Sequence, residues 1–156
     1  MPQLVKGGKY VFGWSLVTPD GRIRIPEEAV LEYEFVSGEK VIIMSGSKTS
    51  GGFIVARKSV MEQTILSEIL VKNPELADFK IEKGKTILFG KRYLCWTEIN
   101  DNGNISLPLE TLEKYGVQPG DRLLSGRGSY AGVAMIVRGL ILDEALKHPE
   151  LSVSVP

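Results

Sequence analysis

The sequence predicts a mainly β protein made of two tandem homologous halves, residues 1–78 and 79–156. Three observations predict it. First, a shift of 82 residues aligns the halves without a gap from Gly8/Gly90 to Val55/Val137. Thirteen of those forty-eight positions are identical, among them Trp14/Trp96, Gly21/Gly103, Pro26/Pro108, Tyr33/Tyr115 and Gly38/Gly120. Self-similarity at a fixed offset is the mark of a duplicated unit. Second, "TPDGRIRIPEEAV" from Thr18 and "NDNGNISLPLETL" from Asn100 both read as a turn, a short alternating run, a proline and acidic residues. Third, aromatic and β-branched residues gather in short runs bounded by Gly, Pro, Asn and Asp, as they do in strands.

Within each copy the elements follow in the same order. Tyr10 to Val17 and Tyr93 to Ile99 are the first strands. Asp20-Gly21 and Asn102-Gly103 are tight turns, since glycine tolerates the positive φ they need. Ile23 and Ile25 then alternate with Arg22 and Arg24, a period of two that buries the isoleucines and exposes the arginines. Pro26 and Pro108 end these strands and open short helices reaching Tyr33 and Tyr115, with Glu27, Glu28 and Glu110 favourable at the helix start. Ser37-Gly38-Glu39 and Pro119-Gly120-Asp121 turn the chain into strands Lys40 to Met44 and Arg122 to Leu124. Glycine- and serine-rich loops lead to Phe53 to Ala56 and Val133 to Arg138. A helix over 59–72, with a capping box at Ser59-Val-Met-Glu62, follows the first copy, and a shorter one over Asp143 to Lys147 follows the second. Thr86 to Phe89 adds a strand between the halves.

Composition bounds the function. The 156 residues carry 43% hydrophobic and 24% charged side chains, ordinary for a soluble globular chain. No apolar run approaches the roughly 18 to 20 residues that span a bilayer, so no membrane association is expected. The start of the chain lacks the pattern of a signal peptide, and the single cysteine, Cys95, fits a reducing cytoplasm. Nineteen Lys and Arg balance nineteen Asp and Glu. A nucleic-acid binder usually carries a basic surplus, and neither half shows one.

The stretches "GWSLVTPDGRIRIPEEAVLEYEFVSGEKVIIM" and "CWTEINDNGNISLPLETLEKYGVQPGDRLLSG" resemble the SpoVT/AbrB-like swapped-hairpin family. The resemblance implies half-domains that interleave their hairpins into one barrel, here a single-chain pseudo-dimer with short helices after each half. It also implies a DNA-binding transcriptional regulator that touches DNA through bases on the hairpin face. Arg22 carries over directly. Arg24, Lys48, Arg57, Lys58, Arg92 and Arg127 are the further candidates; Lys9 could extend the set, and Lys91 and Arg138 could join Arg92 and Arg127 in a partial counterpart on the second half. Departures are plain: Asn104 and Ser106 stand where the first copy has Arg22 and Arg24, and Glu27, Glu28, Glu32 and Glu34 follow the first proline.

The alternative is a barrel module that binds a small anion or a protein through the loops 45–52 and 125–132. Gly46, Ser47, Gly128 and Ser129 occupy equivalent loop positions there, and exposed backbone N–H groups bind anions. No catalytic constellation is expected. His148 is the one histidine, Cys95 lies in an apolar strand, and no motif points to a metal or cofactor. The chain is expected as a monomer with an internal pseudo-dimer, or as a higher homo-oligomer.

Overall fold

The first copy runs β1 (Val11–Leu16), β2 (Arg22–Arg24), α1 (Glu27–Glu32), β3 (Lys40–Ser45) and β4 (Phe53–Arg57) in the computed structural model, which describes residues 2–5, 8, 10–128 and 132–156. Three short helices follow: α2 (Lys58–Met61), α3 (Ser67–Lys72) and α4 (Pro74–Ala77). β5 (Ile87–Phe89) then precedes the second copy: β6 (Arg92–Glu98), β7 (Asn104–Ser106), α5 (Leu109–Lys114), β8 (Arg122–Arg127) and β9 (Gly132–Ile136). The chain closes with α6 (Leu140–Ala145) and β10 (Val153–Ser154). Mainly β structure with short helices was expected, and that is the composition observed. No helix among the described residues is long and apolar enough to cross a membrane.

Eight strands form one mixed sheet in the order β10-β1-β8-β9-β4-β3-β6-β5, and β2 and β7 form a separate two-stranded ladder. Strands from residues 1–78 and 79–156 therefore share one sheet and meet at four places, β10 with β1, β1 with β8, β9 with β4 and β3 with β6. The register repeats with the 82-residue offset. Trp14 faces Leu124, and their counterparts Trp96 and Ile42 face each other. Ser15 faces Leu123 as Thr97 faces Val41. Where β4 meets β9, Phe53 faces Met135, its own counterpart, and in the small ladder Ile23 faces Ile105 in the same way.

The barrel expected from the resemblance is not closed by this ladder. β10 lies parallel against β1 and β5 lies antiparallel against β6, so the outer edges of β1 and β6 are already paired. The sheet is open, with short strands on both rims, which leaves little unpaired edge for aggregation.

Packing follows the same duplication. One core cluster lies between the sheet and the β2–β7 ladder; it takes Ile23, Ile25, Phe53 and Val55 from the first half and Ile105, Leu112, Tyr115 and Met135 from the second. On the other face α2, α3 and α4 bury Met61, Ile69, Leu70 and Leu76 over Ile42 and Trp96. At the equivalent place α6 buries Ala145 over Trp14 and Leu124. The two tryptophans thus serve as floors for the helices after each copy.

Three local expectations need correction. The helix expected over 59–72 is broken between Met61 and Ser67, because the Thr64 hydroxyl donates to the Met61 carbonyl (3.0 Å) and accepts the Leu66 N–H (3.1 Å). Such local bonds compete with the helical ladder. Helix α2 starts at Lys58, so Ser59 is inside its first turn, and no side chain caps it. The last helix lies at Leu140–Ala145 rather than 143–147, opening at Gly139.

The glycine–acid turns have a common mechanism. A Glu39 carboxylate oxygen accepts the Val36 N–H at 3.1 Å, and its counterpart Asp121 accepts the Gln118 N–H at 2.8 Å. An acid one residue after Gly38 or Gly120 therefore pins the turn that enters β3 or β8.

Candidate functional site

β2 and β7 make a short antiparallel ribbon in which Arg22 faces Ser106 and Arg24 faces Asn104. Alternation puts these four residues on one side, with Ile23 and Ile105 buried on the other. Matched hydrogen bonds tie the ribbon to the sheet: Ser15 Oγ donates to the Arg24 carbonyl (2.6 Å), and its counterpart Thr97 Oγ1 donates to the Ser106 carbonyl (3.0 Å). The turns entering the two strands also match, since Thr18 Oγ1 accepts the Arg22 N–H and Asn100 Oδ1 accepts the Asn104 N–H, each at 2.9 Å. Asn104 is buried, and its Oδ1 has no hydrogen-bond partner among the described residues.

The arginines are not equally available. Arg22 pairs with Asp20 at 3.1 Å, both side chains being well exposed. Hydrogen bonds from Thr18 and then Arg22 hold the Asp20 carboxyl below its usual range. Arg57 pairs with Glu39 at 2.7 Å in a half-buried position, where it reinforces the turn at Gly38. Arg127 pairs with Glu32 of the other half and lies 5.3 Å over the Tyr10 ring. Lys58 lies 5.6 Å over the Phe79 ring. Arg92 is exposed, with one N–H toward the Met44 sulfur at 3.5 Å. The seven candidate bases are thus spread over ribbon, strand ends and loops. Arg24, Lys48 and Arg92 are the three for which no ion pair or ring contact is found among the described residues.

The loop candidates divide. Ser129 and Lys9 lie outside the described residues. Gly46 and Gly128 have one structural reason: a Cβ at Gly46 would meet the Gly51 carbonyl oxygen at 2.1 Å, and one at Gly128 the Gly132 carbonyl oxygen at 2.3 Å. Ser47 folds its own loop, its Oγ accepting the Ser50 N–H at 3.1 Å.

Around Gly46 and Ser47, however, the structure gathers residues that lie far apart in sequence. A cleft of about 340 Å³ is lined by Lys48 from the first loop and by Lys91, Lys114 and Arg138 from the second half, with Glu113 as its acid. Arg138 Nη2 donates to the Lys48 carbonyl at 2.9 Å, and Lys114 Nζ sits 5.3 Å over the Tyr93 ring. Lys114 is the member that pattern reading missed. The signal available was the charge reversal at equivalent positions, Glu32 in the first copy and Lys114 in the second.

Cys95 is fully buried at 3.5 Å from the Tyr115 hydroxyl, and burial pushes its thiol up to about 11. Burial also raises Tyr115, whose hydroxyl donates to the Tyr93 carbonyl at 3.2 Å. A thiol held protonated in an apolar interior is a packing group. His148 is flanked by Glu150 at 2.7 Å and Glu144 at 3.5 Å, which raise its pKa, Glu150 foremost. No family model matches the chain, and no curated protein matches it in sequence.

Proposed function

We propose that this chain is a single-chain swapped-hairpin protein of the SpoVT/AbrB-like type that contacts duplex DNA through the β2–β7 ribbon. The observation that carries this is the ribbon itself: a two-stranded antiparallel element outside the main sheet, with Arg22 and Arg24 on the face opposite the buried Ile23. The major groove of B-DNA admits a two-stranded β-ribbon, and arginine donates two parallel bonds to guanine. Cross-half pairing of β1 with β8 and of β3 with β6 supports the swapped arrangement. The Arg22–Asp20 pair is no obstacle. Exposed pairs are weak and screened by solvent, so a phosphate or base edge can replace the carboxylate.

Two arginines make a modest footprint. With two phosphates neutralised, log K is expected to fall with log salt at a slope of about −2. The pair of substitutions Arg22→Ala and Arg24→Ala is expected to flatten that slope and abolish measurable binding in a fluorescence-anisotropy titration. Ser106→Arg, on the same exposed face at the position equivalent to Arg24, is expected to strengthen binding and steepen the slope by about one. Duplex binding unchanged by all three substitutions removes the ribbon as the contact surface.

A further inference from the structure

We propose that the cleft between the loop 46–52 and the end of α5 is a binding site for a phosphate chain, inorganic or carried by a nucleotide. It does not rest on the ribbon as a DNA contact. Lys48, Lys91, Lys114 and Arg138 converge there from both halves against the single acid Glu113. None of the four has an ion pair among the described residues, whereas Arg22, Arg57 and Arg127 each do. Four like charges lining one cleft repel one another. An anion in the cleft removes that cost.

The duplicated fold supplies an internal control. At the equivalent place in the first half, Glu32 stands for Lys114 and Ala56 for Arg138. There Glu32 is paired with Arg127, so its charge is neutralised within the chain. The scaffold is built twice, and Lys48, Lys114 and Arg138 have no base at the equivalent positions, which are Tyr130, Glu32 and Ala56; only Lys91 has one, in Lys9. The concentration of bases in one copy is therefore a property of the cleft and not a need of the fold.

Its geometry suits a chain of phosphates better than a single ion. About 340 Å³ lies at the lower end of the roughly 300–1,000 Å³ range of small-molecule sites. Arg138 is fixed in place: the Ser50 carbonyl accepts both the Val137 and Arg138 N–H groups, and Nη2 holds the Lys48 carbonyl. Gly51 makes room for it, since a Cβ there would sit 2.6 Å from Arg138 Nη1. One guanidinium N–H is thus spent on the loop, leaving other donors for an anion. Beyond Lys114 the next groove carries Lys83 and Lys85 but also Glu82 and Glu110, so the surplus of bases ends at Lys114.

The test is a calorimetric titration of the full chain at low ionic strength with orthophosphate, diphosphate, tripolyphosphate and adenosine triphosphate. Sulfate at matched ionic strength is the control. Affinity is expected to rise with the number of phosphates. Equal affinity for tripolyphosphate and the nucleotide identifies a free phosphate chain as the ligand, and tighter nucleotide binding identifies a nucleotide. Lys114→Glu, which writes into the second half the residue the first half carries, is expected to cost at least about tenfold in affinity, the worth of one charge-assisted bond. Arg138→Ala is expected to do the same, and both variants should retain the parent melting temperature and duplex binding. Arg22→Ala with Arg24→Ala should leave tripolyphosphate binding intact. No binding of any phosphate, sulfate binding as tight as tripolyphosphate, or affinity unchanged in Lys114→Glu and Arg138→Ala would overturn the assignment.

Discussion

Replacing Phe53 with alanine is expected to destabilise the chain by about 3–5 kcal/mol, the usual loss for truncating a buried aromatic. Phe53 is fully buried, faces Met135 across the β4–β9 ladder and lies with its ring centroid 5.5 Å from that of Tyr115. It is therefore in contact with the second half at the point where the two copies meet their own counterparts. Single domains are stable by about 5–15 kcal/mol, so this one change removes a large share of the total. Leu88, 62% exposed on the rim strand β5, is the control; Leu88→Ala should stay within about 0.5 kcal/mol. Urea unfolding followed by tryptophan fluorescence reads both, since Trp14 and Trp96 lie one in each half. A loss below 1 kcal/mol for Phe53→Ala would mean that the core does not run through this position.

The second large effect separates two glycines that the sequence treats as equals. Gly21 and Gly103 are counterparts, both at positive φ, 83° and 74°. Any L-residue there carries a left-handed penalty of about 1–3 kcal/mol. Their surroundings differ. A Cβ at Gly21 would lie 2.3 Å from the Leu107 carbonyl oxygen, whereas one at Gly103 would meet the Val30 Cγ2 at 3.3 Å and the Ile25 carbonyl oxygen at 3.7 Å. Both carbonyls accept a matching backbone bond, from the Leu107 N–H at Gly21 (3.1 Å) and from the Ile25 N–H at Gly103 (3.0 Å), so the difference lies in the room for a Cβ. Gly21→Ala should therefore destabilise by roughly 2 kcal/mol more than Gly103→Ala, the excess being the overpacking cost of a clash against backbone. Equal losses in thermal unfolding would show that the ribbon does not approach so closely at Gly21.

Much of the local structure was legible in the sequence, and the reasons can be named. Strand alternation at Ile23 and Ile25, glycine in the turns and proline ahead of α1 and α5 all act over a few residues. So does the Glu39 or Asp121 carboxylate that binds an N–H three residues back. The break at Thr64 was not legible, because apolar spacing through Met61, Ile65 and Ile69 continues across it while a hydroxyl diverts the backbone bonds. β10 was missed because two residues of strand carry almost no pattern; it forms only because β1 offers an edge. Sheet order is non-local, and nothing near β1 in sequence indicates that its partners are β8 and β10.

The site shows the same division. The alternation that exposes Arg22 and Arg24 could be read directly. That Arg57 and Arg127 would be neutralised by Glu39 and Glu32 could not, since Arg127 and Glu32 lie 95 residues apart. Lys114 entered only through folding, which sets the end of α5 beside the loop 46–52. Comparing charge between the two copies, position by position, is the reading that would have found it.

Interleaving of the two halves is what everything else depends on, and nuclear Overhauser contacts across the sheet measure it directly. Contacts of β1 with β8 at Trp14 and Leu124, repeated by β6 with β3 at Trp96 and Ile42, are the expected result. Contacts of β1 with β3 inside residues 1–78, and of β6 with β8 inside residues 79–156, would contradict it.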